Sequence, residues 1–230
     1  MIVLYVIVEG RTEEGYARDV LAPHLVPFNV YAIPSLVGSA GHKGGFRRYQ
    51  KLRVQLSKWM HGDSRPDLRF TTMIDLYRIP TDFPGFADCG SGNYKDPHER
   101  VTQLERHFGE DIGDERFIPY VQLHEFEAML LAEPSRFQTY FPNRGNAIEQ
   151  LERIAQSKAS PELIDDGAET SPSKQIISVL PDYRAAKPVA GPQIAQRIGL
   201  DTIRKKCTHF GAWLACLESL DKANKCQVDE

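Results

Sequence analysis

Ile2-Val3-Leu4-Tyr5-Val6-Ile7-Val8-Glu9-Gly10-Arg11-Thr12-Glu13-Glu14 is the stretch that decides the fold. Residues 2–8 are apolar without a break and rich in β-branched side chains. A short run of this kind reads as a strand buried on both faces, the signature of a parallel sheet. A helix is expected next. Thr12 occupies an N-cap position, and Glu13 and Glu14 fall in the first turn, near the positive end of the helix dipole. Tyr16, Val20, Leu21 and Leu25 give that helix an apolar stripe, and Pro23 predicts a kink or an end. The opening run has no basic flank and no cleavage site, and it meets Glu9 at once. It is therefore not read as a signal peptide.

Working outward, the same alternation repeats. Residues 30–37 read as a second strand, made irregular or placed at an edge by Pro34. A glycine-rich loop from Gly38 to Gly45 precedes an amphipathic helix from Phe46 to Met60. Its apolar positions are Phe46, Tyr49, Leu52, Leu56 and Trp59. Phe70 to Tyr77 is a third strand, residues 98–108 a charged helix, and Phe117 to Leu123 a fourth strand. Strands alternating with helices predict an α/β fold with a parallel sheet of about four strands and right-handed crossovers. After Leu131 the chain becomes helical and more polar. Residues 1–132 are thus expected to form the α/β core, and 133–230 a helical C-terminal extension packed on it.

Composition narrows the class. The chain has 230 residues, 41% hydrophobic and 26% charged, enough apolar material for a core. No apolar run reaches the roughly 18 residues of a membrane span, so a non-membrane, cytoplasmic protein is expected. Net charge is −3, from 28 basic and 31 acidic residues, which argues against a general polycation. Cys89, Cys207, Cys216 and Cys226 match no zinc or redox spacing, and reduced thiols are expected.

Ligands of open α/β sheets bind beyond the carboxyl ends of the strands. There the first strand ends at Glu9, the third at Asp75, and the fourth runs into His124, Glu125 and Glu127. Carboxylates brought together repel and lose water, so a compensating cation is expected. Oxygen donors suit Mg²⁺ or Mn²⁺. Each residue also has a structural reading. Glu9 could cap the next helix, Asp75 could be a turn residue, and His124 could be a hydrogen-bonding core residue. On a helix Glu125 and Glu127 would diverge by about 200°, so only one of them is expected to face the site.

Charge is unevenly spread. From Val20 to Gly62 there is no acidic residue, while Lys43, Arg47, Arg48, Lys51, Arg53 and Lys58 fall in that window. Lys43, Arg47, Lys51 and Lys58 are candidate nucleic-acid contacts, the helical ones lying opposite the apolar stripe; a solvated helix face is the alternative. Further on, Ser171-Pro172-Ser173-Lys174 precedes a helix, and Tyr183 and Lys187 follow. Residues 191–204 carry the Ala195–Gly199 spacing of a helix-turn-helix, but Ile203 arrives too early for a recognition helix. A last amphipathic helix packing Phe210, Trp213, Leu214 and Leu217 onto the domain is the favoured reading.

Val8-Glu9-Gly10-Arg11-Thr12-Glu13-Glu14 resembles the first motif of Toprim domains, the fold shared by topoisomerases, primases and nucleases of the overcoming-lysogenization-defect class. Met73-Ile74-Asp75-Leu76-Tyr77, Gln122-Leu123-His124-Glu125-Phe126-Glu127-Ala128 and Cys207-Thr208-His209-Phe210-Gly211-Ala212-Trp213-Leu214 resemble a bacterial family of unknown function with a Toprim-like core, DUF4276. The resemblance implies Glu9 as a metal ligand or general acid/base, and Asp75 as the first aspartate of an Asp-x-Asp motif. The second aspartate position here is Tyr77, and Asp82 lies five residues beyond it. Glu125 or Glu127 is the candidate replacement ligand. Relatives are thought to act beside ATPases in phage-defence or DNA-processing loci.

The expectation that results is a Toprim-like, Mg²⁺- or Mn²⁺-dependent nuclease acting on nucleic acid, DNA ahead of RNA, with an ATPase partner. Glu9, Asp75, Glu125 and Lys187 would be catalytic, and Glu9, Asp75, Glu125 and Glu127 would hold metal. Two rivals are a non-catalytic Toprim-like partner of an ATPase or of DNA, and a DNA-binding regulator using residues 191–206. A homo-oligomer is compatible with the sequence but not dictated by it.

Overall fold

The computed structural model describes residues 1–38, 48–77, 79–89, 94, 96–164 and 170–222. Strand β1 (Ile2–Val8) leads into helices α1 (Arg11–Tyr16) and α2 (Ala22–Leu25), and then into β2 (Val30–Leu36). α3 (Tyr49–Gly62) connects β2 to β3 (Leu68–Asp75), and α4 (Pro97–Ile112) connects β3 to β4 (Phe117–Ile118) and β5 (Val121–Gln122). All pairings are parallel, in the order β2-β1-β3-β4, with β5 also on β3. The α/β parallel sheet flanked by helices is as the sequence predicts.

The two faces of β1 explain its unbroken apolar run. Ile2, Leu4, Val6 and Val8 join one core with Tyr16, Leu21 and Leu25. Ile7 joins the other, with Leu52 and Leu56 of α3 and Leu104 and Phe108 of α4. β2 is the sheet edge, as Pro34 suggests. Ile2 N donates to Asn29 O, and Val37 N to Val8 O. In the alternating ladder the N–H of every even β2 residue therefore points outward, and Pro34 forfeits no bond.

β4 and β5 are one strand interrupted at Pro119 and Tyr120. The register is unchanged across the gap, Phe70 facing Phe117 and Asp75 facing Gln122. Threonine hydroxyls bridge the break. Thr71 Oγ1 donates to Ile118 O (2.7 Å), and Thr72 Oγ1 donates to Tyr120 O (2.8 Å) while accepting from Tyr120 N (3.1 Å). Trp213 Nε1 donates to Thr71 Oγ1 at 2.9 Å, tying a C-terminal helix to the same place.

The later chain forms α5 (Glu127–Leu130), α6 (Gly145–Gln156), α7 (Pro172–Val179), α8 (Tyr183–Ile198), α9 (Leu200–Lys206) and α10 (Thr208–Glu218). Ile194, Phe210, Trp213, Leu214 and Leu217 share one core with β1, α1 and α2. These helices complete one face of the sheet, and Phe210, Trp213, Leu214 and Leu217 are buried as the amphipathic reading has it. α8 lies close against α1. A Cβ on Gly15 would come within 3.0 Å of Pro192, and one on Gly191 within 2.8 Å of Thr12.

Some local expectations change. The first helix is capped at Gly10, not Thr12, which is buried inside it. Glu13 folds back so far that a Cβ on Gly10 would lie 2.7 Å from its Oε2, and its carboxylate accepts from its own N–H. That occupies one of the free N–H groups at the helix start without a threonine cap. Pro23 does not end the helical path; a π-helical turn at Ala17–Leu21 runs directly into α2. The helix expected from Phe46 is α3, which starts at Tyr49; residues 39–47 lie outside the described residues. Cys89 and Cys207 are buried free thiols. Cys216 is disulfide-bonded, departing from the reduced state expected, because spacing alone carries no redox signal; Cys226 lies outside the described residues. Among the described residues no helix is long and apolar enough to cross a membrane.

Candidate active site

Neighbouring strands β1 and β3 pair through Val8 and Met73, so Glu9 and Asp75 emerge side by side. Asp75 N donates to Glu9 Oε2 at 3.1 Å, and Phe126 N donates to Asp75 Oδ1 at 3.0 Å. Asp75 is therefore fixed from the exit of the interrupted fourth strand. That exit turns sharply: His124 has φ 65°, a left-handed conformation unusual for a side chain with a Cβ.

The turn corrects one expectation. Glu125 precedes the helix and Glu127 opens it, so the two do not diverge as on one helix. Both are buried, and both face the cluster. Glu125 accepts from Ser173 N (2.8 Å) and Ser173 Oγ (3.0 Å) at the start of α7. Glu127 accepts from Tyr183 OH (3.0 Å) and Lys187 Nζ (3.0 Å) on α8. Glu13, buried in the first turn of α1, completes a cluster of five carboxylates, of which Glu127, Asp75, Glu13 and Glu9 act on one ammonium.

The electrostatics follow from crowding. Burial pushes the Glu13 carboxyl up to about 7, and Glu127 and Glu9 add to the rise. Burial, then Glu13 and Glu9, hold Asp75 well above the usual carboxylate range. Burial raises Glu9 too, against the Asp75 N–H and Lys187. Burial opposes the charge on Lys187, yet Glu127, Asp75 and Glu13 outweigh it and hold the ammonium above its ordinary value.

The structure thus brings Glu9, Asp75, Glu125, Glu127 and Lys187 together. Lys51 and Lys58 are exposed on α3, outside this cluster, and Lys43 and Arg47 lie outside the described residues. Asp82 caps α3, accepting from Tyr49 N at 2.9 Å, and does not stand in for the missing aspartate. The sequence reading missed Glu13, Ser173 and the role of Tyr183. A signal for Glu13 is its first-turn position directly after a strand-end glutamate; for Ser173, the Ser-Pro-Ser start of a helix.

The donor set is hard oxygen throughout, as Mg²⁺ or Mn²⁺ requires, and the crowding that raises Glu9, Glu13 and Asp75 is what a bound cation would relieve. Glu125 and Glu127 already receive internal donors on both oxygens, so Glu9 and Asp75 fit a cation best. Mg²⁺ is commonly held by one or two carboxylates with waters and phosphates. Among the described residues no three Asp, Glu, His or Cys side chains converge in a metal-holding arrangement.

A parallel α/β sheet with a carboxylate-and-lysine edge beyond its strand ends is the class of protein that fold and site define. The chain belongs to the family described as domain of unknown function DUF4276, which matches residues 8–218. Among curated proteins none matches it. Two solved structures of the C-terminal region of the OLD protein of Xanthomonas campestris pv. campestris are similar in part. The one phased with platinum has TM-score 0.43 and 16% identity, covering 92% of this chain and 93% of that one. The one phased with mercury has TM-score 0.39 and 15% identity, covering 92% and 96%.

Proposed function

We propose that this protein is a Toprim-like, Mg²⁺- or Mn²⁺-dependent phosphodiesterase acting on nucleic acid, DNA ahead of RNA, beside an ATPase partner. The observation that carries the reading is the cluster of five carboxylates and one lysine where strands β1, β3 and β5 end. Glu9 and Asp75 would hold the cation. A divalent cation bound there supplies Lewis-acid stabilisation of charge on a phosphoryl group. Glu127 and Tyr183 orient Lys187, whose ammonium can offset phosphate charge in the transition state. Ser173 holds Glu125 beside Asp75, and Phe126 N fixes the Asp75 carboxylate. Lys51 and Lys58, with Lys43 and Arg47, would add the sequence-independent attraction for a polyanion.

The test is cleavage of DNA and RNA with Mg²⁺ or Mn²⁺. Cleavage that chelation abolishes, and that Glu9→Gln and Asp75→Asn lower about a hundredfold or more, supports the reading; a loss of that size is about 3 kcal/mol of barrier. Two observations favour a second reading, a non-catalytic partner of an ATPase or of DNA: Tyr77 at the second aspartate position, and internal donors on both Glu125 and Glu127. It expects no cleavage, and nucleic-acid binding unchanged by Glu9→Gln.

A further inference from the structure

Lys187 is placed to do more than meet a phosphate. Its Nζ lies 3.0 Å from both Oε1 and Oε2 of Glu127. Its charge also reaches Asp75, Glu13 and Glu9, which stand on three different elements. One ammonium thus offsets carboxylates from α1, α5 and the ends of β1 and β3. Its own side chain remains 30% exposed, whereas that of Glu127 is fully buried. The ammonium itself is largely buried among the carboxylates, and the flexible four-carbon stem gives it a path toward the exposed part of the side chain.

Two cations in one negative field compete. Lys187 occupies the position against Glu127, and no three of the carboxylates converge as a chelate among the described residues. We infer that Lys187 is a built-in counter-cation: it holds the acidic edge together in the metal-free protein, and a divalent cation at Glu9 and Asp75 displaces its ammonium from Glu127 toward the open side of the edge. There it faces an incoming phosphate. Metal binding and readiness for a polyanion are then one event, because the same entering charge that repels the ammonium delivers it to the substrate side. This inference rests on the cation site proposed above.

The experiment is Mn²⁺ titration by calorimetry of the full chain, in wild type, Lys187→Gln and Lys187→Arg. Removing the competing charge is expected to tighten Mn²⁺ binding by about tenfold in Lys187→Gln. Lys187→Arg, which keeps the charge, is expected to bind no tighter than wild type. Equal or weaker binding by a folded Lys187→Gln overturns the inference and leaves the cation site standing. No Mn²⁺ binding by wild type overturns the site, and the inference with it. A measurement on wild type alone covers the case in which Lys187→Gln does not fold. Reductive methylation of Lys187, mapped by mass spectrometry, is expected to run several-fold faster with Mg²⁺ than without. An unchanged or slower rate overturns the displacement.

Discussion

Gly191 is the tightest point between the C-terminal helices and the site. A Cβ there would meet Thr12 Cγ2 at 2.8 Å, the Phe126 ring at 3.1 Å and the Tyr183 hydroxyl at 3.2 Å. Two of those neighbours serve the carboxylates, since Phe126 N donates to Asp75 and Tyr183 to Glu127. Gly191→Ala is therefore expected to destabilise the protein by about 1–3 kcal/mol, as overpacking does. Thermal denaturation measures this, and an unchanged Tm would show that α8 can shift away from α1. At this scale the sequence is informative where residue type and element position coincide. Glu9 and Asp75 are legible because they end apolar strands. Glu13, Ser173 and Tyr183 are not, because their importance lies in contacts across 48 and 56 positions of chain, or in a side chain folding back over a glycine. Glu125 and Glu127 share the site for a local reason: Glu125 lies before the helix that Glu127 opens, so helical phase does not relate them.

Among the elements, α10 is anchored by a buried network that ties it to α4. Glu162, fully buried, accepts from His209 N (3.1 Å) and Phe210 N (2.9 Å), capping the first turn of α10 from a distant segment. His209 Nε2 lies 3.0 Å from Glu105 Oε1 of α4, and His98 Nε2 lies 3.2 Å from Glu162 Oε2. Burial works against a charged His209, but Glu105, and then Glu162, raise its proton affinity above the ordinary value of 6.5. A histidine raised on folding contributes stability in full below its unfolded value, and loses it as pH climbs through the folded one. Wild-type Tm is expected to fall as pH rises from about 6.5. His209→Gln should show a smaller fall over the same range; an equal fall would place the titration elsewhere. None of this network is legible in sequence, because its members are far apart in the chain. The strands and the main helices are, because their apolar period is local. Strand four is found, but its break at Pro119 and the threonine hydroxyls that mend it emerge only from pairing.

For the whole molecule, a net charge of −3 conceals two separated features. Carboxylates gather at one end of the sheet, and an acid-free basic segment accompanies the second crossover. The class of fold follows from alternation alone, and membership in the family from motifs spread along nearly the whole chain. The chemistry does not follow from either, since Tyr77 departs from the expected second aspartate and internal donors occupy both oxygens of two of the five carboxylates. A divalent cation held by Glu9 and Asp75 is what the proposed chemistry requires. Its binding there is tested most directly by anomalous diffraction from a crystal soaked in Mn²⁺. The expected result is a single strong peak within coordination distance of Glu9 and Asp75, with Lys187 turned away from Glu127. A site empty of Mn²⁺, with Lys187 still bound to Glu127, would contradict it.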